Sequence, residues 1–143
     1  MPRCLIIDDD RDSRDGYAEY LRAFGFDVDT LPDPRTALRV ITDRPPDIVM
    51  LDLRMPYVDG FQFLERLQCA VGGAGVPVVV VSACVYPSDR ERAQQSGCAA
   101  FLPKPCAPDE VLSTLQRLLN GQTIDNRETV GSPAARVEPR TSA

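Results

Sequence analysis

The sequence predicts a parallel α/β fold in which a five-stranded sheet carries helices on both faces. Short apolar runs alternate along the chain with segments whose apolar residues recur at helical spacing, and this alternation is typical of β-α-β units. The strand-like runs are apolar throughout, which indicates strands that are covered on both faces. A chain of 143 residues suits one domain with a substantial core.

Five segments are predicted as strands. Four are continuous apolar runs, at residues 4–7, 48–51, 78–81 and 99–102, and the remaining strand is a shorter segment at residues 26–30. Each of the four runs ends near a polar group, in chain order Asp8 to Asp10, Asp52, Ser82 and Lys104. Because ligands bind at the carboxyl ends of the strands in an open parallel sheet, we expect these groups to converge on one site.

Five helices are predicted to alternate with the strands. The first places Tyr17, Tyr20, Leu21 and Phe24 at helical spacing. Residues common at helix starts mark where four of the helices begin: Asp33-Pro34 for the second, Gly60 for the third, Ser88 for the fourth and Pro108 for the fifth. Glycines mark where helices end: Gly25 after the first, the glycine-rich residues 72–75 after the third, Gly97 after the fourth and Gly121 after the fifth. We therefore predict a domain at residues 1–121 and a disordered tail at residues 122–143.

Composition excludes several classes of function. The chain has no histidine, which excludes Ser-His-Asp catalysis and histidine-ligated zinc. A net charge of −5 argues against direct binding of nucleic acid. No apolar run approaches membrane-spanning length, and we expect no signal peptide because residues 1–3 lead directly into the first predicted strand. Five cysteines without paired spacing fit reduced thiols, so we expect a cytoplasmic protein.

The polar groups at the strand ends suit phosphoryl transfer. Asp8, Asp9 and Asp52 concentrate negative charge that a hard divalent cation such as Mg²⁺ would neutralise. With a metal bound, an aspartate can act as a nucleophile toward phosphorus. The Lys104 amine and the Ser82 hydroxyl can bind other phosphoryl oxygens.

Taken together, these residues resemble the receiver domain of two-component response regulators. The resemblance rests on Asp8-Asp9, Asp52 followed by Met55-Pro56 and Gly60, Ser82-Ala83, and Lys104-Pro105, and it covers residues 3 to about 120. The separations are typical of that family: 43 from Asp9 to Asp52, 30 from Asp52 to Ser82 and 22 from Ser82 to Lys104. It implies a doubly wound, flavodoxin-like sheet with strand order 2-1-3-4-5.

The resemblance also implies a role for each residue. Asp52 is expected to accept a phosphoryl group from a phosphohistidine on a histidine kinase or a histidine phosphotransfer protein, and a downstream effector protein is expected to read the change. Asp8, Asp9, Asp52 and the backbone carbonyl of Arg54 are expected to bind Mg²⁺, with Mn²⁺ as an alternative. Ser82, Ala83 and Lys104 are expected to bind the phosphoryl group. The resemblance further implies a switch formed by Ser82 and Phe101 and a cis peptide between Lys104 and Pro105.

Some positions depart from the common family pattern. Phe101 has no hydroxyl, so a switch here would depend on packing. Arg54, two residues after the acceptor, is expected to influence the lifetime of the phosphorylated state, and Cys106 is the one thiol considered for reactivity. Dimerisation through the face of the fourth helix stays open.

Other interpretations of the same residues also stay open. Asp8 and Asp9 could cap the first helix, a task better suited to Asp10 or Asp12, and Lys104 could be a solvated loop residue. An aspartate-nucleophile phosphohydrolase is a different class of function, but it usually needs an acid two residues after the nucleophile, where this chain has Arg54. A third class is a receiver-like module that binds partners without phosphorylation. The expected protein is not an enzyme acting on external substrates.

Overall fold

A computed structural model describes residues 1–56, 58–71, 75–83 and 86–124, and its main feature is a five-stranded parallel sheet. The strands are β1 (Arg3–Ile7), β2 (Asp27–Leu31), β3 (Ile48–Leu51), β4 (Val78–Ser82) and β5 (Ala100–Pro103). Their order across the sheet is β2-β1-β3-β4-β5, and neighbouring strands are parallel. The predicted fold class and strand order are therefore confirmed.

Five α-helices connect or follow the strands. They are α1 (Arg11–Ala23), α2 (Ala37–Asp43), α3 (Gly60–Val71), α4 (Pro87–Gln95) and α5 (Pro108–Leu119). The start predicted at Asp33-Pro34 is a short 3-10 helix, Pro34–Thr36, that leads into α2. Its first turn is capped by Asp33, whose side chain accepts a hydrogen bond from the backbone N–H of Arg35 at 2.9 Å.

The predicted start of the fourth helix was wrong by two residues. Tyr86 is the N-cap of α4 and makes no side-chain capping bond, and Pro87 is the first helical residue. Proline suits that position because its missing N–H would have no partner in the first turn of a helix. Ser88 therefore lies inside the first turn and does not cap it.

Helices cover both faces of the sheet and form two apolar layers. Helices α1 and α5 pack on one face through residues that include Leu21 and Leu115. Helices α2, α3 and α4 pack on the other through residues that include Ile41 and Leu64. Successive residues of each central strand belong to opposite layers, for which reason the strands are apolar throughout.

Phe24 does not join the apolar layer of α1. It is the C-cap residue of that helix, 54% of its surface is exposed, and its ring centroid lies 4.9 Å from that of Tyr20. The helical repeat that we extended to Phe24 therefore stops one residue earlier, because the chain leaves the helix there.

A short antiparallel hairpin between β3 and α3 was absent from our prediction. Residues 54–55 pair with residues 58–59, with Arg54 opposite Asp59. After the hairpin, the chain folds back on itself so closely that a Cβ added to Gly60 would lie 2.1 Å from the carbonyl oxygen of Leu53. Glycine is therefore required where α3 begins.

Helix α4 is held mainly by polar contacts. Ala93 is the one residue of α4 that is buried. The Arg92 guanidinium lies 4.3 Å from the ring centroid of Phe61 and 3.8 Å from the Asp59 carboxylate. The Gln68 side chain of α3 also donates a hydrogen bond to the carbonyl of Gly97, just after α4.

Two further predictions concern segments that are only partly described. The predicted tail begins at residue 122, and residues 125–143 lie outside the described part of the chain, as do residues 72–74 of the predicted glycine-rich loop. Within the described ranges, no helix combines the length and apolar character needed to cross a bilayer.

Candidate functional site

The polar groups predicted at the strand ends do meet at one edge of the sheet. Ile7 of β1 lies beside Leu51 of β3, so the residues that follow them, Asp8 and Asp52, are neighbours. Both side chains are buried, with 4% and 6% of their residue surfaces exposed, whereas Asp9 is exposed. One carboxylate oxygen from each of these three residues lies within 4.8 Å of the others.

The Asp52 carboxylate accepts three hydrogen bonds from the described residues. Its Oδ1 accepts from the backbone N–H of Arg54 and from the hydroxyl of Ser82, both at 2.9 Å. Its Oδ2 accepts from Lys104 Nζ at 3.2 Å. These hydrogen bonds compensate the Asp52 carboxylate for the water contacts that it loses by burial at the end of β3.

Lys104 connects two of the acids. Its ammonium donates to Asp8 Oδ2 at 2.9 Å as well as to Asp52. The residue follows β5, its backbone N–H donates to the carbonyl of Ser82 at 2.8 Å, and its peptide bond to Pro105 is cis. The interpretation of Lys104 as a solvated loop lysine is therefore wrong, because its ammonium is engaged at the site.

Burial and neighbouring charges both shift pKa values in this pocket. Burial raises the pKa of Asp8, and the neighbouring Asp52 carboxylate adds to the rise, although hydrogen bonding to Lys104 opposes it. Burial alone would lower the pKa of Lys104, but its hydrogen bonds and charge interactions with Asp8 and Asp52 together raise it. The two rises have different causes, since burial dominates at Asp8 whereas the two carboxylates together outweigh burial at Lys104.

The donor set fits a hard divalent cation. Three carboxylates lie together, and the Lys104 ammonium contacts two of them, Asp8 and Asp52, so an excess of two negative charges remains when all four groups are ionised. Oxygen ligands of this kind are those that Mg²⁺ binds in proteins, usually while it keeps several of its waters. Asp8, Asp9 and Asp52 are the residues that would hold such an ion.

The loop after β1 is organised by hydrogen bonds among its own residues. Asp10 is the N-cap of α1, and its side chain accepts from the backbone N–H of Ser13 at 3.1 Å. The backbone N–H of Asp10 donates to Asp8 Oδ1 at 2.9 Å. The alternative in which Asp8 serves only as a helix cap is therefore wrong, because Asp10 has that position.

The remaining predicted residues lie around this centre. Phe101 is buried, with 2% of its surface exposed, and its partner in register on β4 is Val80, two residues before Ser82. Ala83 and the Arg54 side chain are exposed. Cys106 is buried with 8% exposure, which limits access to its thiol.

Two contacts near the site were not visible in the sequence. Arg14 Nη1 donates to the backbone carbonyl of Asp8 at 3.0 Å, and the Tyr17 hydroxyl donates to the backbone carbonyl of Cys106 at 2.8 Å. In the sequence, Arg14 is unusual only in being a basic residue in the first turn of a predicted helix, where the helix dipole disfavours positive charge.

Comparison with known protein families agrees with this arrangement. A family model described as "Response regulator receiver domain" matches residues 4–116. The chain belongs to the response regulator receiver domain family. The five-stranded sheet and the acids at the ends of β1 and β3 thus belong to a receiver domain.

Curated relatives of this receiver domain are longer proteins. Response regulator MprA of Mycolicibacterium vanbaalenii is 35% identical over 127 residues, which cover 88% of this chain and 54% of the relative. Response regulator Rre1 of a Synechocystis strain is 33% identical over 135 residues, which cover 94% of this chain and 58% of the relative. The chain thus spans little more than half the length of these relatives.

Solved structures of receiver domains have the same fold. The chemotaxis protein CheY4 of Vibrio cholerae superimposes with a TM-score of 0.75 at 27% identity, covering 82% of this chain and 98% of that protein. The receiver domain of the Francisella response regulator 1452 gives a TM-score of 0.77 at 26% identity, covering 85% and 98%. The similarity therefore includes almost the whole of each of these receiver domains.

Proposed function

We propose that Asp52 accepts a phosphoryl group from a phosphohistidine on a histidine kinase or a histidine phosphotransfer protein. The observation that carries the proposal is the engagement of Asp52 by Lys104 Nζ at 3.2 Å and by Ser82 Oγ at 2.9 Å. Two donors are thus placed beside the carboxylate before any phosphoryl group arrives. Donors that are already in position stabilise developing charge without having to reorganise.

The transfer itself requires little of the protein beyond positioning. A carboxylate oxygen of Asp52 forms a bond to phosphorus, the bond between phosphorus and the donor imidazole nitrogen breaks, and its electron pair stays on that nitrogen. Lys104 and Ser82 would then donate hydrogen bonds to phosphoryl oxygens, and the backbone N–H of Ala83, an exposed residue next to Ser82, would donate a further one. Such a receiver acts only on itself.

The reaction is proposed to require Mg²⁺, with Mn²⁺ as a substitute. Asp8, Asp9, Asp52 and the backbone carbonyl of Arg54 would hold the ion, which when bound neutralises charge on the acceptor and on the incoming phosphoryl group. Support comes from the three clustered carboxylates, of which Asp8 and Asp52 are paired with the Lys104 ammonium.

Phosphorylation is proposed to alter the surface around α4 and β5, where an effector protein would read it. The Ser82 hydroxyl would exchange its bond with Asp52 for one with the phosphoryl group, and Phe101 would adjust in the core below. Because Phe101 has no hydroxyl, this adjustment depends on packing alone. Arg54, exposed beside the site, would influence the lifetime of the phosphorylated form.

The proposal is tested by incubating the protein with Mg²⁺ and acetyl phosphate and measuring its intact mass. We expect one added phosphoryl group, which is lost in Asp52→Asn and requires the metal. Asp47→Asn is a suitable control, because Asp47 is an exposed aspartate at the opposite end of β3. An unchanged mass with Mg²⁺ present would contradict the proposal, and sustained turnover of phosphate esters would instead indicate a phosphohydrolase.

A further inference from the structure

We infer that Arg14 is a positioning residue for the metal-binding acids, and this inference rests on the proposed function. The residue lies on α1 and contacts none of the three carboxylates; instead, its Nη1 donates to the backbone carbonyl of Asp8 at 3.0 Å. That carbonyl belongs to the peptide group that joins Asp8 to Asp9. Arg14 therefore acts on the direction in which two neighbouring metal ligands project.

The other hydrogen bonds of this loop involve the N–H and the side chain of Asp8, whereas Arg14 bonds its carbonyl. The backbone N–H of Asp8 donates to the carbonyl of Leu31 at 3.1 Å, which fixes the end of β1. The Asp8 side chain accepts from Asp10 and Lys104. These bonds hold Asp8 itself, but Asp9 is exposed, and the tilt of the peptide before it determines where its carboxylate points.

The position of Arg14 in the helix supports a role outside the helix. It is the fourth residue of α1, where positive charge is disfavoured by the helix dipole. Arg11 is the first residue of the same helix, but its side chain is 84% exposed and pairs with Asp15 at 3.5 Å in the next turn. Arg14 instead turns back toward β1 and is partly buried.

Hydrogen bonds that orient the ligands of a metal influence its affinity strongly. Loss of such a partner typically weakens metal binding about 10-fold to 100-fold. For Arg14→Met, which removes the donor but keeps much of the side-chain volume, we expect Mg²⁺ to bind about 10-fold more weakly. Arg14→Lys keeps a charge and a donor, so part of the lost affinity should return.

The test is a titration of each protein with Mg²⁺, followed through the backbone amide resonances of residues 8–10 and 52. Arg11→Met is the matched control, since it removes the same charge from the same end of α1, and we expect it to change the dissociation constant by less than about twofold because exposed charges are screened. Urea unfolding of each variant shows that the comparison is between folded proteins. The amide of Asp9 should also shift in Arg14→Met before any metal is added.

The outcomes separate the inference from the proposed function. If the wild-type protein shows no response to Mg²⁺ at these amides, the proposed metal requirement fails and the inference fails with it. If the wild-type protein responds but Arg14→Met and Arg11→Met weaken binding equally, only the inference fails. A lysine variant that binds no better than the methionine variant would also overturn it.

Discussion

The hydrogen bond from Ser82 to Asp52 should contribute measurably to stability as well as to the site. Ser82 is fully buried, and its hydroxyl donates to Asp52 Oδ1 at 2.9 Å. Hydrogen bonds to charged groups contribute about 1.5–3 kcal/mol, so Ser82→Ala should lower the free energy of unfolding by about 2 kcal/mol. In urea, this loss corresponds to a midpoint about 1 M lower, given a slope of about 2 kcal/mol per molar.

A double-mutant cycle assigns that loss to the pair. In Asp52→Asn, the amide oxygen can still accept from Ser82, but a bond between neutral groups is about half as strong. Ser82→Ala should therefore cost only about 1 kcal/mol in the Asp52→Asn background. Circular dichroism in urea measures all four proteins, with Ser113→Ala on the exposed side of α5 as a control. Equal costs of Ser82→Ala in both backgrounds would refute the reasoning.

Two further predictions concern the backbone and acid stability. Gly60→Ala should destabilise the fold by more than about 2 kcal/mol, because its Cβ would meet the carbonyl of Leu53. A Cβ added at Gly16 has no atom within 4 Å, so Gly16→Ala should instead raise the free energy of unfolding by up to about 1 kcal/mol. Thermal unfolding that finds Gly60→Ala more stable than Gly16→Ala would contradict this. Hydrogen bonding to Arg35 lowers the pKa of Asp33 below its ordinary 3.8. The ionised Asp33 carboxylate therefore stabilises the fold above pH 3.8, and this stabilisation is lost as pH falls through the lower pKa of the folded state. Asp33→Asn should make the free energy of unfolding depend less steeply on pH in this range. An unchanged pH dependence would contradict the prediction.

The central strands were predictable because of how much apolar surface they bury. A run such as Val78 to Val81 needs cover on both faces, which left little choice of fold class. The edge strand β2 was placed one residue early, because only Val28 of its five residues is buried and its limits follow from pairing with β1. The short hairpin before Gly60 could not be predicted, since two-residue strands leave no periodic pattern.

At the site, the sequence predicted which side chains converge but not how they are connected. Asp8 and Asp52 follow the neighbouring strands β1 and β3, and Lys104 follows β5 at the same end of the sheet, so their convergence follows from the sheet order. The double contact of Lys104 depends on the path of its loop. Arg14 and Tyr17 donate to backbone carbonyls, and every residue type carries that acceptor, so no pattern of side chains could indicate these bonds.

The polar attachment of α4 has a consequence for how the molecule opens. Elements that bury few apolar contacts unfold locally at lower free energy than the core does. Helix α4 buries Ala93 and otherwise depends on contacts such as those of Arg92 with Phe61 and Asp59. Its amides should therefore exchange with solvent hydrogen ahead of those of α5, which buries four residues. We therefore expect α4 to detach and return while the sheet that holds the acids stays folded.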